Sequence, residues 1–360
     1  MEHTPVIHVI IPVYKAEKYI SQTLDSVLGQ PYSNIEIVCV DDGSPDDSIS
    51  ILKSYEKQYE NIRVIRQENA GVSAARNKGI EYVLGRGDDG YLTFLDADDL
   101  WARNATSTFR DDLKGYPDCI GYCEVRCSEN LTRMAPPERQ EAHVFLGGSR
   151  NVWCHSSVTF GAVLYSCKLL REYPVRFVEG LNYAEDSIFK LSCFYLAESI
   201  KLVDSVLYCY RINLTSAMHS RKYGTDYMPA IIRGYKETLR FLRPFENSTR
   251  GPAQFASILS GIHAIEMVEE HFQKFRSARS LEHFLADNPD ITETIRMLNR
   301  HDLSEKHQRI YDLYMGSTLK FRIYCYISGF RKLLRDILKK QKLVMRVQQK
   351  RMFPMSNEYL

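Results

Sequence analysis

The chain has 360 residues, 44% of them hydrophobic, and carries 47 Lys+Arg against 45 Asp+Glu. This composition supports a sizeable core in about two domains and excludes a disordered chain, a collagen-like repeat and a disulfide-dense mini-protein. The net charge of +2 hides an asymmetry: residues 320–351 hold eleven Lys and Arg against Asp336 alone, or +10, so the remainder carries −8.

Met1-Glu2-His3-Thr4 leads into a strand-like run without the basic and apolar regions of a signal peptide. Residues 6–13 are a β-branched run ended by Pro12-Val13-Tyr14. Tyr19, Ile20, Leu24, Val27 and Leu28 have helical period, stopped by Gly29 and Pro31. A second strand is predicted at 35–40, closed by Asp41-Asp42-Gly43-Ser44. A second helix then carries Ile49, Leu52, Tyr55 and Tyr59 on one face behind Pro45-Asp46-Asp47. A short strand at 62–65, a helix over 71–84 and a strand at 91–95 follow, the last running into Asp96-Ala97-Asp98-Asp99. Residues 119–127, 158–165 and 202–210 are expected as strands and 185–197 as a helix. The polar stretch 128–150, with Pro136-Pro137 and Gly147-Gly148, is expected as a loop over a site. From about Tyr227 the patterns are helical to the end, so the expected division is 1–225, a helical accessory domain 226–318 and a tail 319–360.

No run approaches the roughly 18 apolar residues of a membrane span. The nine cysteines include no CxxC pair. Cys119, Cys123 and Cys127 recur every four residues, a spacing no zinc motif uses, and are expected as small apolar residues around a buried strand. Reduced thiols imply a cytoplasmic compartment.

Short apolar strands alternating with helices predict an α/β fold with a mostly parallel sheet covered on both faces. Ligands of such sheets lie at the carboxyl ends of the strands. Here those ends carry Tyr14, Asp41 and Asp42, then Asp96 and Asp98. The first loop has neither the G-x-G-x-x-G of a dinucleotide fold nor a P-loop. An acidic edge holds a diphosphate only through a divalent cation. Asp96 and Asp98, two apart on an extended segment, point the same way and offer hard oxygen ligands for Mn²⁺ or Mg²⁺.

Five blocks stand in order: Ile10-Ile11-Pro12-Val13-Tyr14, Val40-Asp41-Asp42-Gly43-Ser44, Ala75-Arg76-Asn77-Lys78-Gly79, Phe94-Leu95-Asp96-Ala97-Asp98-Asp99 and Ala184-Glu185-Asp186. Together they resemble the family 2 glycosyltransferases, which have the GT-A fold, over about residues 6–219. The resemblance implies that Pro12, Tyr14 and Glu17 form the first nucleotide-contacting loop. It implies that Asp41 accepts a hydrogen bond from a uracil-type base with Asp42 beside it, and that Arg76 and Lys78 flank the nucleotide. Asp96 would hold ribose or metal, Asp98 the metal, and His219 is a further metal-ligand candidate. Asp186 corresponds to the catalytic base of inverting members. Tyr208-Cys209-Tyr210-Arg211 and Ser216-Ala217-Met218-His219 resemble the family's closing Tyr-Arg and Ser block. The chain departs from the family at Lys15, where Asn is commoner, in the acidic turn 85–90, and around Phe160-Gly161-Ala162, where a Trp and a Lys are usual.

Plainer roles compete. Asp41 and Asp42 suit the start of the second helix, Asp186 suits an N-terminal helix turn, and Arg76 suits a salt bridge. The tail places Ile323, Tyr326, Ile327, Phe330, Leu333, Leu334, Ile337 and Leu338 at helical spacing. It fits either a helix packed on the protein or an anionic membrane surface reached through 319–351. The acidic body argues against nucleic acid. The expected activity is an inverting, metal-dependent transfer of sugar from a UDP-linked donor to a glycan or lipid-linked acceptor, in cell-surface polysaccharide synthesis at the inner face of the cell membrane. The helical region is a possible homodimer surface. The rivals are a non-catalytic nucleotide-sugar-binding scaffold and a nucleotidyltransferase; the latter would need a Gly-rich basic first loop that this chain lacks.

Overall fold

The computed structural model describes residues 4–131, 143–146, 159–181, 185–212 and 305–316, with isolated positions between 233 and 296. The chain separates into two compact units: Met1–Thr238 with Thr249–Gly251 and Asn357–Leu360, and Leu239–Ser248 with Pro252–Ser356.

The first unit is built on one sheet. Its strands are β1 (Ile7–Val13), β2 (Ile35–Asp41), β3 (Ile62–Arg66), β4 (Tyr91–Phe94), β5 (Leu100–Trp101), β6 (Cys119–Ser128), β7 (His143–Leu146), β8 (Val163–Ser166) and β9 (Ser199–Ile212). They lie in the order β3-β2-β1-β4-β8-β6-β9-β5, with β7 also on β9. The β3-β2-β1-β4 half is parallel. Helices α1 (Ile20–Leu28), α2 (Ser48–Gln58) and α3 (Val72–Gly85) connect these strands. Every residue of β1 and β4 is buried, as expected of strands covered on both faces. Gly79 of α3 permits close packing on β1, because a Cβ there would lie 2.4 Å from Ile10 Cγ2.

The other half of the sheet is mixed. β8 runs antiparallel to both β4 and β6, β9 runs parallel to β6, and β5 and β7 run antiparallel to β9. Three expectations change here. Residues 143–146, expected within a loop, form an edge strand. The predicted strand at 158–165 is divided, with Phe160–Ala162 forming a 3₁₀ turn before β8. The last strand extends to Ile212. Helices α4 (Phe109–Asp112), α5 (Cys167–Glu172) and α6 (Glu185–Leu196) also belong to this unit. Cys39, Cys119, Cys123, Cys127, Cys167, Cys193 and Cys209 are all buried free thiols, which for Cys119, Cys123 and Cys127 is in keeping with the apolar role expected of them.

In the second unit α7 (Glu305–Gly316) is described, with Ile310 buried. The tail 319–360, His219 and the Pro136-Pro137 and Gly147-Gly148 stretches lie outside the described residues. Among the described residues no helix is long and apolar enough to cross a membrane.

Candidate active site

The carboxyl ends of the parallel strands meet where Val13 pairs with Asp41 and Asp41 with Arg66. Asp41, fully buried, accepts a hydrogen bond from the Ser44 amide (3.2 Å) through Oδ1. Its Oδ2 is enclosed without a hydrogen-bond donor, although Arg66 Nε approaches to 3.3 Å as an ion pair. A buried carboxylate oxygen left without a donor is costly, so it is a natural seat for a ligand N–H.

Asp42 has a different task. Its Oδ1 accepts from Gln67 Nε2 and the Ala70 amide (both 2.8 Å), and its Oδ2 from the Gly71 amide (2.9 Å). It therefore braces the entry to α3, not α2, with Gly71 at φ 93 making the turn.

The 14–17 loop is tied to the 44–48 loop. The Ala16 amide donates to Ser48 Oγ (2.9 Å), the Glu17 amide to Asp46 Oδ2 (3.2 Å), and the Asp47 amide to Glu17 Oε2 (3.0 Å). Pro12 is buried within β1, while Tyr14, just past the carboxyl end of that strand, stays 47% exposed. Lys15 adopts φ 54, in the left-handed region that Asn tolerates better, and sets its ammonium 5.1 Å from the Tyr14 ring centroid. The departure at this position thus falls on a strained backbone.

The Asp96–Asp99 turn is clamped from two sides. From α1, the single Thr23 hydroxyl proton is shared between the carbonyls of Ala97 (2.9 Å) and Asp99 (2.8 Å). From β9, the Tyr208 hydroxyl donates to Asp99 Oδ2 (2.6 Å) and the Arg211 amide to Asp99 Oδ1 (2.7 Å). Arg211 also donates to the Asp98 carbonyl (2.6 Å), the Glu129 carbonyl (2.6 Å) and Gln22 (2.9 Å), with its guanidinium 4.9 Å from the Tyr19 ring centroid. Gly161 leaves room for Tyr208, since a Cβ there would lie 2.3 Å from that ring. Asp99 is thus a structural anchor, and the Tyr-Arg block is the clamp that holds the turn.

The turn's electrostatics fit a cation. Burial first, then Asp96, push the Asp98 carboxyl up to about 6. Burial and the Asp96 and Asp98 charges raise Asp99 well above the ordinary carboxylate range. Asp96 and Asp98 are the carboxylates of this turn that could offer hard oxygen ligands, since both Asp99 oxygens are taken by Tyr208 and Arg211.

Arg76 links this turn to α6. Its side chain is 5% exposed. Its Nη2 donates to Asp96 Oδ1 (2.8 Å) and its Nη1 to Glu185 Oε1 (3.3 Å). Glu185 is raised by burial and by Asp186, against the pull of Arg76. Asp186 sits beside it in the first turn of α6, its Oδ1 2.6 Å from the Ser187 amide. Lys190, one turn further, is pushed down by burial, which Asp186 opposes. Among the described residues the connected group holds five carboxylates (Asp96, Asp98, Asp99, Glu185, Asp186) against two guanidiniums (Arg76, Arg211) and the Lys190 ammonium.

Lys78 does not join this group. Two residues beyond Arg76, about 200° round the helix, it is exposed and pairs with Glu81 (3.5 Å). Asn77 instead holds the 177–179 segment, exchanging hydrogen bonds with the Phe177 backbone (2.9 and 3.0 Å). Glu185, Asn77 and Asp99 were not singled out from the sequence. Glu185 lay in the Glu-Asp pair and Asp99 in the acidic turn, but only the packing separates their tasks from those of Asp186 and Asp98.

Residues 8–173 match the family model for glycosyl transferase family 2. This segment is thus similar to the family 2 glycosyltransferases. The chain is 33% identical over 224 residues to the uncharacterized glycosyltransferase EpsJ of Bacillus subtilis, covering 59% of this chain and 62% of EpsJ. It is 30% identical to the poly(ribitol-phosphate) beta-glucosyltransferase of Bacillus spizizenii, covering 57% of this chain and 32% of that protein. Each of these alignments spans less than two thirds of the relative. The fold is similar to that of the S. aureus TarS 1–349 crystal structure in complex with UDP, with a TM-score of 0.66 and 18% identity over 91% of both chains. That likeness, together with the mixed sheet and its flanking helices, places the fold in the GT-A class.

Proposed function

We propose that this chain is an inverting, metal-dependent glycosyltransferase that uses a UDP-linked sugar in bacterial cell-surface polysaccharide or teichoic acid synthesis. The observation that carries the reading is the junction at Arg76. It joins carboxylates from two distant parts of the chain, Asp96 and Glu185, on the sheet edge that ends in Asp41. The donorless Oδ2 of Asp41 suits the imide N–H of uracil, and Tyr14 offers an exposed ring at the same edge. The related protein TarS, whose structure was solved with UDP, supports that choice of nucleotide.

Asp98, aided by Asp96, would hold Mn²⁺ or Mg²⁺; His219 is the further candidate. Such an ion supplies neutralisation of the diphosphate leaving group. Asp186 takes the proton of an acceptor hydroxyl as that oxygen attacks the anomeric carbon from the face opposite the diphosphate. An α-linked donor then gives a β-linked product. Thr23, Tyr208 and Arg211 keep the acidic turn rigid, so its carboxylates need no rearrangement when the donor arrives.

The test is release of UDP from UDP-glucose and UDP-GlcNAc with Mn²⁺. Asp98→Ala and Asp186→Asn should each remove turnover, and wild-type rates in both would reject the mechanism. The basic segment 319–351 supports peripheral binding to an anionic membrane, with a lipid-linked or growing glycan as acceptor. Co-sedimentation with anionic liposomes should fall when residues 319–360 are removed; equal binding rejects that placement.

A further inference from the structure

We propose that Arg76 is a positioning residue, a buried strut that fixes the Glu185-Asp186 pair relative to the Asp96-Asp98 turn, and that it does not contact the donor. This rests on the glycosyltransferase reading above.

Three observations separate a strut from a substrate contact. First, the Arg76 side chain is 5% exposed, whereas that of Asp96, which it holds, is 41% exposed. An arginine that binds a diphosphate must bring its fork to the cleft surface; here the carboxylate stands at the surface and the guanidinium behind it. Second, the guanidinium is fixed by aromatic rings. Its central carbon lies 5.0 Å from the Phe160 centroid and 5.3 Å from that of Phe177. Phe177 in turn stacks on Phe189 of α6 at 4.3 Å and 4°. The same aromatic cluster therefore packs against both Arg76 and α6. Third, the two arms divide between two segments: Nη2 goes to the acidic turn and Nη1 to the α6 start. A planar fork transmits orientation between its acceptors, which a lysine ammonium, a point charge on a flexible stem, cannot do.

The consequence is a division of labour along α3. Arg76 faces inward and sets the separation between the carboxylates that would hold the cation and the carboxylate that would take the proton. Asn77 fixes the 177–179 segment leading toward α6. A small misplacement of a base costs rate steeply while leaving donor binding intact.

The experiment uses the full chain with Mn²⁺ and either UDP-glucose or UDP-GlcNAc, whichever the wild type hydrolyses faster. Arg76→Lys should lower kcat at least tenfold while the KM for donor and the calorimetric Kd for UDP stay within about threefold. Glu185→Gln should do the same. The double variant should be no slower than the slower single one, because both break one strut. If Arg76→Lys weakens UDP binding in proportion to its loss of kcat/KM at unchanged kcat, Arg76 is a donor contact and the proposal falls. Full additivity of the two losses, or wild-type kcat in Glu185→Gln, also overturns it. Should Arg76→Lys fail to fold, Glu185→Gln alone decides by the same kcat-against-KM split. A wild-type chain that neither binds UDP nor releases it from any donor would instead sink the glycosyltransferase reading.

Discussion

The two edges of the parallel half-sheet make a useful pair, because both are rich in charge and use it in opposite ways. At the amino-terminal edge His8, fully buried, lies 2.8 Å from Glu36 and 3.0 Å from Asp88 through its two ring nitrogens. Arg86 adds ion pairs to both acids. Burial would raise Glu36 and Asp88, but His8, Arg86 and their other hydrogen-bond donors together outweigh it, and both end below the ordinary carboxylate range. At the carboxyl-terminal edge Asp98, Asp99 and Glu185 are all raised. The first edge is compensated within the protein and serves stability. At the second, among the described residues, burial and neighbouring carboxylates raise the acids instead. Among the described residues, His8, Asp88 and Cys167 are the three whose ligand atoms lie within 4.8 Å of one another. Yet both His8 nitrogens are already engaged by carboxylates, which marks a structural cluster.

The largest effect expected from breaking this contrast is on turnover. Asp98→Ala should cost roughly 10²–10⁴ in UDP release while leaving the melting temperature unchanged or higher, since it removes a mutually repelled charge. Loss of activity together with loss of stability would erase the distinction between the edges.

The opposite pattern is expected at His8. His8→Phe leaves two mostly buried carboxylates with less compensation and should cost on the order of 3 kcal/mol in chemical denaturation. Turnover below the melting point should hold near wild type.

The pH dependence separates the edges further. Glu36 and Asp88 are lowered in the folded state, so their stabilisation is fully present above their ordinary values of 4.5 and 3.8. It is lost as pH falls through the lower folded values. Asp98 has the reverse sign: raised to about 6, it penalises folding increasingly as pH climbs from 3.8 through about 6. Thermal melts should show an acid-side loss that His8→Phe diminishes. The Asp98→Ala gain should grow between pH 4 and pH 7.

The smallest effect is a shift of a few degrees. Mn²⁺ should raise the melting temperature more at pH 7.5 than at pH 5, because Asp98 must be ionised to hold it. A shift of equal size at both values would mean that the ion binds elsewhere.

Much of the candidate site was legible because parallel strands place their terminal residues on one edge. Asp41 and the Asp96–Asp98 pair could be placed there from pattern alone. The second half of the sheet was not legible. Its strands β6, β8 and β9 pair residues 42 to 84 positions apart in mixed directions, and nothing in their periodicity encodes which neighbour each takes. Roles inside a motif were equally hidden. Asp41 and Asp42 are adjacent and alike in composition, yet one keeps a donorless oxygen while the other braces a loop.

The order of residues thus determined the α/β alternation, the acidic strand ends and the family blocks, since these depend on local period and spacing. The tertiary structure decided which charges are compensated. A carboxylate's state depends on who stands within a few ångströms of it, and Arg76, Tyr208 and Arg211 reach their partners across 20 to 189 positions of chain.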